Sequence, residues 1–142
     1  MDKKYAAQEA ITHSMMGSLG LKLIEEKEGF IRASMPVNDN TSQPFGVLCG
    51  GASLAFAEII AGYGSYLCCP EGFIPVGSSV SGNHVSSVRK APDVLVYAEA
   101  TALHLGRTTP LWNVDIKTEN GRLVSTVRVT NFIVKDKSES WK

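Results

Sequence analysis

Read for the alternation of apolar and polar positions, the chain divides into strands on either side of one long apolar segment. From Leu21 to Val37, "LKLIEEKEGFIRASMPV" predicts two strands around a turn near Glu28-Gly29. Ile31, Ala33, Met35 and Val37 alternate there with Phe30, Arg32, Ser34 and Pro36, the period of a strand with one buried face. Residues 4–18 read as a short helical lead-in ending at Gly17 and Gly20, and "NDNTSQP" as a polar loop. From about Gly46 to Cys69 the period changes. The run is rich in Ala and Leu, contains no proline, and predicts one helix apolar on most faces, hence a buried helix.

Strand alternation then returns. In "VLVYAEATALHL", Val94, Val96, Ala98, Ala100 and Ala102 form one row, and in "LWNVDIKT" Trp112, Val114 and Ile116 form another. Asn120-Gly121 separates that segment from "RLVSTVRVTNFIV" and predicts a hairpin with positive φ at both turn centres. The tail "KDKSESWK" is charged and expected to fray. Two strands, one long helix and about four more strands make an α+β fold, an antiparallel β-sheet wrapped around one long central helix. Such a sheet leaves an edge and part of a face uncovered, which favours pairing of two copies by sheet extension.

Composition narrows the classes. The 142 residues suit a single domain spanning 1–142. Lys plus Arg and Asp plus Glu each number 14, so the chain lacks the basic excess of a nucleic-acid or anionic-membrane binder. The apolar run is near membrane-spanning length, but Ser53, Glu58, Ser65 and several glycines interrupt it, so no membrane partner is expected. "MDKKYAAQEA" lacks the apolar region of a secretory signal. Three cysteines, two of them adjacent, give no disulfide framework, and the expected compartment is the cytoplasm. No CxxC pair or histidine cluster has zinc-ligand spacing, so no metal site is expected.

Within "QPFGVLCGGASLAFAEIIAGYGSYLCC" the one charged residue is Glu58. On a helix its neighbours one turn away are Leu54, Ala55, Ala61 and Gly62, none of them basic. An ordinary glutamate there would mark a wet stripe, but no second charge continues such a stripe. A carboxylate among small residues with room for a ligand is a candidate general base or nucleophile. Gly50-Gly51 opens the helix, where backbone N–H groups have no intrahelical acceptor and no side chain blocks an approaching oxygen. That is oxyanion-hole chemistry, with a flexible cap as the plainer alternative. Cys68 and Cys69, at the helix end, read as packing residues.

The segment "QPFGVLCGGASLAFAE", with "NHVSSVR" and "LHLGRTTPLWNVDIKTENGRLVSTVRVTNFIV", resembles the hotdog-fold acyl-CoA thioesterases over roughly Gly17 to Val134. It is most similar to the branch acting on aromatic acyl thioesters such as 1,4-dihydroxy-2-naphthoyl-CoA in menaquinone biosynthesis. A sister branch acts on aryl thioesters of carrier proteins. The resemblance implies hydrolysis of an acyl-CoA thioester to acid and CoA, with CoA entering as part of the substrate. It implies Glu58 as nucleophile or general base, the Gly50 N–H as the donor that polarises the carbonyl, and Gln43 as a side chain holding the same oxygen or the catalytic water. It places the site between two protomers, implying at least a homodimer and pointing to a homotetramer. Gly51, Asn83, His84, Arg89, Gly106, Arg107 and Thr108 fall in segments lining the acyl pocket and CoA channel. Phe45, Phe56 and Tyr63 are candidate walls of an aromatic slot, or core.

Cys49 departs from the family signature, which has histidine there. Three readings follow: turnover through Gly50, Gln43 and Glu58 alone; Cys49 as nucleophile with His84 or His104 as its base; or a non-catalytic acyl-CoA binder. The first leaves Glu58 with a role and is preferred. A hotdog dehydratase would need a histidine on or beside the helix, and the sequence does not place one there.

Overall fold

The computed structural model describes residues 8–137. Two short helices, α1 (Gln8–Thr12) and α2 (Met15–Ser18), precede the strands β1 (Lys22–Lys27) and β2 (Phe30–Pro36). The long helix α3 (Gly50–Cys68) follows, then β3 (Phe73–His84), β4 (Leu95–His104), β5 (Leu111–Thr118) and β6 (Leu123–Lys135). The predicted lead-in helix is therefore two helices, and its residues 4–7 lie outside the described residues, as do 138–142 of the predicted frayed tail.

All six strands join one antiparallel sheet in the order β1-β2-β4-β5-β6-β3. The predicted alternation is realised on its inner face. Ile31, Ala33 and Met35 of β2, Val96, Ala98 and Ala100 of β4, and Trp112, Val114 and Ile116 of β5 are fully buried. Phe56, Ala57, Ile60 and Ala61 of α3 pack against them, closing one core. Phe56, a candidate slot wall, is thus a core residue.

Two local predictions are corrected. The helix starts at Gly50, because residues 42–48 form a turn closed by backbone bridges from Ser42 to Leu48 and from Val47 to Arg89. The Asn120-Gly121 turn has positive φ only at Gly121 (φ 90). The Gly121 N–H bonds the Thr118 carbonyl and the Thr118 N–H bonds the Arg122 carbonyl, so a three-residue loop joins the strands. The hairpin itself forms as predicted.

β3 is the element the sequence pattern did not delimit. Its "FIPVGSSVSGNH" is rich in Gly and Ser and lacks a continuous apolar row. It pairs with β6 on one side and is the free edge of the sheet on the other. Phe73, Val76 and Val80 on it are exposed in the single chain.

Candidate active site

α3 lies across the edge strand β3 along one stripe of residues spaced four apart. A Cβ placed on Gly50 would lie 2.5 Å from His84 Nε2, one on Gly82 would lie 3.1 Å from Leu54 Cδ2, and one on Gly77 would lie 2.5 Å from Glu58 Oε1. Gly50, Leu54 and Glu58 therefore face His84, Gly82 and Gly77 in turn, and the missing side chains at Gly77 and Gly82 let the helix settle on the strand. The structure corrects the expectation that no histidine neighbours the helix: the His84 ring, brought by β3, packs on its first residue.

Around the start of α3 is a cavity of about 320 Å³ lined by Gln43, Gly50, Ser53, His84 and Ser125 among others. The turn before the helix shapes it. The Gln43 N–H bonds the Val47 carbonyl (2.9 Å), and the Gly46 N–H bonds the Gln43 carbonyl (2.9 Å), with Gly46 at φ 84. The Phe45 N–H donates to the Gln43 side-chain oxygen, which leaves the carboxamide NH2 to serve as a donor. The Ala52 and Ser53 N–H groups bond the Cys49 carbonyl, as expected in the first turn. The Gly50 and Gly51 amides precede these and belong to the helix end whose N–H groups lack intrahelical acceptors. The cavity thus gathers hydrogen-bond donors at the positive end of the helix dipole.

Cys49 is the N-cap residue, and its thiol makes no capping hydrogen bond. It is not among the residues lining the cavity, so the structure does not bring its sulfur to His84 there. His104 packs instead on Gly106, where a Cβ would lie 2.5 Å from its Nε2. Among the described residues neither histidine hydrogen-bonds Cys49.

Glu58 is exposed in the single chain, which corrects the expectation of a buried carboxylate. The reason is positional: it sits over the free edge of the sheet, and among the described residues no further strand covers that edge. It is also far from Gly50. Eight residues of helix separate them by about 12 Å along the axis.

The other predicted residues divide into three groups. Gly106, Arg107 and Thr108 line a second cavity of about 450 Å³ with Cys68, Cys69 and Phe73, at the C-terminal end of α3. Arg89 lies at the opposite end, bridged to Val47, and Gly51 is exposed in the first turn. Phe45 is 87% exposed at the tip of the turn. Arg89, Gly51 and Phe45 do not line the first cavity, and neither do Asn83 and Tyr63. Asn83 pairs with Thr126 and, one position from His84, belongs to the outer face of the sheet. Tyr63 is buried and hydrogen-bonds Glu26 of β1, because five residues of helix turn it about 140° away from Glu58. Sequence reasoning missed Ser53, Gly77 and Ser125. The one available signal was a serine at 125 on the inward row of Val127 and Val129.

Comparison with known proteins fits this arrangement. The thioesterase superfamily model matches residues 45–125, from the Phe45 turn through α3 to Ser125. A thioesterase from Haemophilus influenzae superposes with a TM-score of 0.84 at 36% identity, covering 95% of this chain and 92% of that one. A 1,4-dihydroxy-2-naphthoyl-CoA hydrolase from Escherichia coli is 36% identical over 121 residues, 85% of this chain and 87% of that protein. A hypothetical protein from Staphylococcus aureus, solved with a glutamate replaced by alanine, superposes with a TM-score of 0.81 at 31% identity, covering 87% of this chain and all of that one. The same protein was solved with a glutamine replaced by alanine, 15 positions before that glutamate. A six-stranded antiparallel sheet around one long helix matches these structures over most of the chain, and the chain belongs to the hotdog-fold thioesterase superfamily of thioester hydrolases.

Proposed function

We propose that the chain hydrolyses an aromatic acyl-CoA thioester, of the 1,4-dihydroxy-2-naphthoyl-CoA kind used in menaquinone biosynthesis, at a site shared by two copies. The observation that carries this is the split of the reacting groups. Gln43, Gly50 and His84 meet in one cavity, while Glu58 stands about 12 Å along the helix over an uncovered sheet edge. One chain cannot place both on the same carbonyl.

Two copies can. Antiparallel pairing of β3 with β3 of a second copy reverses the order of the two halves. Centred between Val80 and Ser81, midway from Gly77 to His84, it sets the Glu58 end of one helix beside the Gly50 end of the other. The same reversal explains the arginines. Arg107 and Arg89 lie at opposite ends of α3 in one chain, and pairing carries each toward the other across the interface, where both serve the phosphates of CoA. Two exposed valines and Phe73 on the edge gain cover in the process.

In the proposed reaction the thioester oxygen takes hydrogen bonds from the Gly50 N–H and the Gln43 carboxamide. Glu58 of the other copy attacks the carbonyl carbon, the C–S bond breaks, and CoA leaves as thiolate while water then cleaves the acyl anhydride. Alternatively, Glu58 takes a proton from water and hydroxide attacks directly. Both routes end in acid and CoA thiol and need no cofactor. Isotope from labelled water entering Glu58 in a single turnover identifies the first. The 15-residue separation of glutamine and glutamate altered in the Staphylococcus aureus protein is that of Gln43 and Glu58 here, and supports their pairing. The name of the Escherichia coli relative supports the aromatic substrate, as does exposed Phe45 at the mouth of the turn.

The test is thiol release from aromatic and aliphatic acyl-CoAs by the wild-type protein and Glu58→Gln. Turnover fastest on aryl-CoA and lost in the variant supports the proposal. Turnover that survives Glu58→Gln refutes the role of Glu58, and an aliphatic preference refutes the substrate class.

A further inference from the structure

We infer that Ser125 is a positioning residue of this site: its hydroxyl donates to His84 Nδ1 and holds the ring with Nε2–H directed beside the Gly50 amide. The inference rests on the thioesterase reading above and adds to it a residue and a tautomer.

His84 and Ser125 are direct partners across β3 and β6. On the inner face their side chains meet, with His84 Nδ1 2.8 Å from Ser125 Oγ. Ser125 is fully buried, on a row it shares with Val127 and Val129 and opposite Ile116 of β5. A hydroxyl in such a row costs free energy unless it is hydrogen-bonded, so packing alone does not account for a serine. The ring's other nitrogen is the atom that faces the helix start, since Nε2 is what a Cβ on Gly50 would strike. One bond at Nδ1 therefore sets the direction of the group that enters the cavity.

The chemistry selects the direction of that bond. A neutral imidazole has one N–H and one lone pair, so the bond at Nδ1 decides which of the two Nε2 presents. If Nδ1 donated to Ser125, Nε2 would present a lone pair to the place where the thioester oxygen gains negative charge. With Ser125 donating, the proton sits on Nε2, and Nε2–H joins the Gly50 amide and the Gln43 carboxamide as a donor to that oxygen. Which ring nitrogen carries the proton is set by the hydrogen bond that the other one makes.

The experiment uses the full chain, with side-chain 15N NMR of histidine and steady-state thiol release from an aryl-CoA. The expected wild-type state is the Nε2–H tautomer of His84. Ser125→Ala should give a mixture of tautomers and a kcat lower by about tenfold with KM little changed, a smaller loss than the roughly 10²–10³ that follows removal of an oxyanion donor itself. Ser125→Thr should restore both readouts. If Ser125→Ala does not fold, Ser125→Cys, close in volume and only a weak donor, takes its place with the same expectation. An Nδ1–H tautomer in the wild type, or a Ser125 variant with unchanged tautomer and kcat, overturns the inference while leaving the thioesterase reading intact. A wild-type protein that releases no thiol from any acyl-CoA overturns both.

Discussion

Gly77→Ala separates the geometry of the carboxylate from the stability of the fold. A Cβ at Gly77 would stand 2.5 Å from Glu58 Oε1 and 3.0 Å from its Cδ, where ordinary contact begins near 3.4 Å. The carboxylate must therefore retreat by about 0.9 Å. It is the far end of a flexible side chain, exposed to solvent, so the retreat is easy. Gly77 has no positive φ, and alanine there lowers the entropy of the unfolded chain, so stability is expected to stay level or rise by about 0.4–1 kcal/mol. A reacting group misplaced by about 1 Å costs on the order of 10²-fold in rate. Expected, then, is a variant with wild-type melting temperature and oligomeric state and a kcat down about 10²-fold. Gly82→Ala is the contrast. Its Cβ would meet Val127 Cγ2 at 2.9 Å and the Thr126 carbonyl oxygen at 3.0 Å, neither of which yields easily. That variant should lose about 1–3 kcal/mol of stability. The assay is initial-rate thiol release beside thermal melts and sedimentation. A Gly77→Ala protein with kcat within threefold of wild type, where Glu58→Gln is inactive, would refute the argument that the carboxylate works from its place over the strand.

Sharing of the site between copies is tested by mixing. Glu58→Gln and Gln43→Ala chains, each inactive alone, should recover about a quarter of wild-type activity when unfolded and refolded together, since half the dimers are mixed and each holds one intact site; no recovery would place both residues in one chain's site. Ser65→Ala removes the hydroxyl that accepts from Trp112 Nε1 (2.8 Å) and donates to Asn131 Oδ1 (2.7 Å) in the core. Two buried groups lose their partner, so urea unfolding should show a loss of about 2–4 kcal/mol at unchanged slope, and a change below 0.5 kcal/mol would show the network to be dispensable. The Asp39 carboxyl is held below its ordinary 3.8 by its hydrogen bond to Lys90 and by that ammonium's charge. Because the folded value is depressed, the pair's contribution is present above that ordinary value and is lost as pH falls through the folded one. Lys90→Met should return the Asp39 NMR titration toward 3.8, and an unmoved titration would refute the assignment.

What the sequence made legible follows from where burial is one-sided. β2, β4 and β5 each have one face on the helix, so their apolar rows stand out at period two and locate the core without further information. β3 has no such row. As the sheet's free edge it carries Gly77 and Gly82 for helix contact and serines elsewhere, so the fourth strand was counted but its bounds were not legible. Leaving β3 undelimited hid two consequences at once: the histidine it delivers to Gly50, and the reason Glu58 is exposed. Of the two readings open for Tyr63, slot wall or core, the structure gives the core, with its hydroxyl bonded to Glu26 on the far edge of the sheet. Gly50 was legible from the Gly-Gly pair that opens the helix, whereas the roles of Gln43 and His84 came through the family resemblance, since they stand on a turn and an edge strand.

The substitution at position 49 can be judged from what the helix start requires. The donors that converge there are backbone amides, a carboxamide from the turn and an imidazole from β3, and none depends on the side chain of the N-cap residue. Cys49 contributes its carbonyl, which accepts from the Ala52 and Ser53 amides at 3.0 and 3.2 Å and sets the first turn. Any residue with extended backbone at that position can do the same. A histidine there would add a donor beside one already supplied by His84, so Cys49→His should change kcat by less than removing His84 does. The comparison of Cys49→His with His84→Ala, each measured on the same aryl-CoA, decides which position supplies the imidazole. A large gain from Cys49→His, with His84→Ala silent, would show that β3 delivers the ring for packing alone.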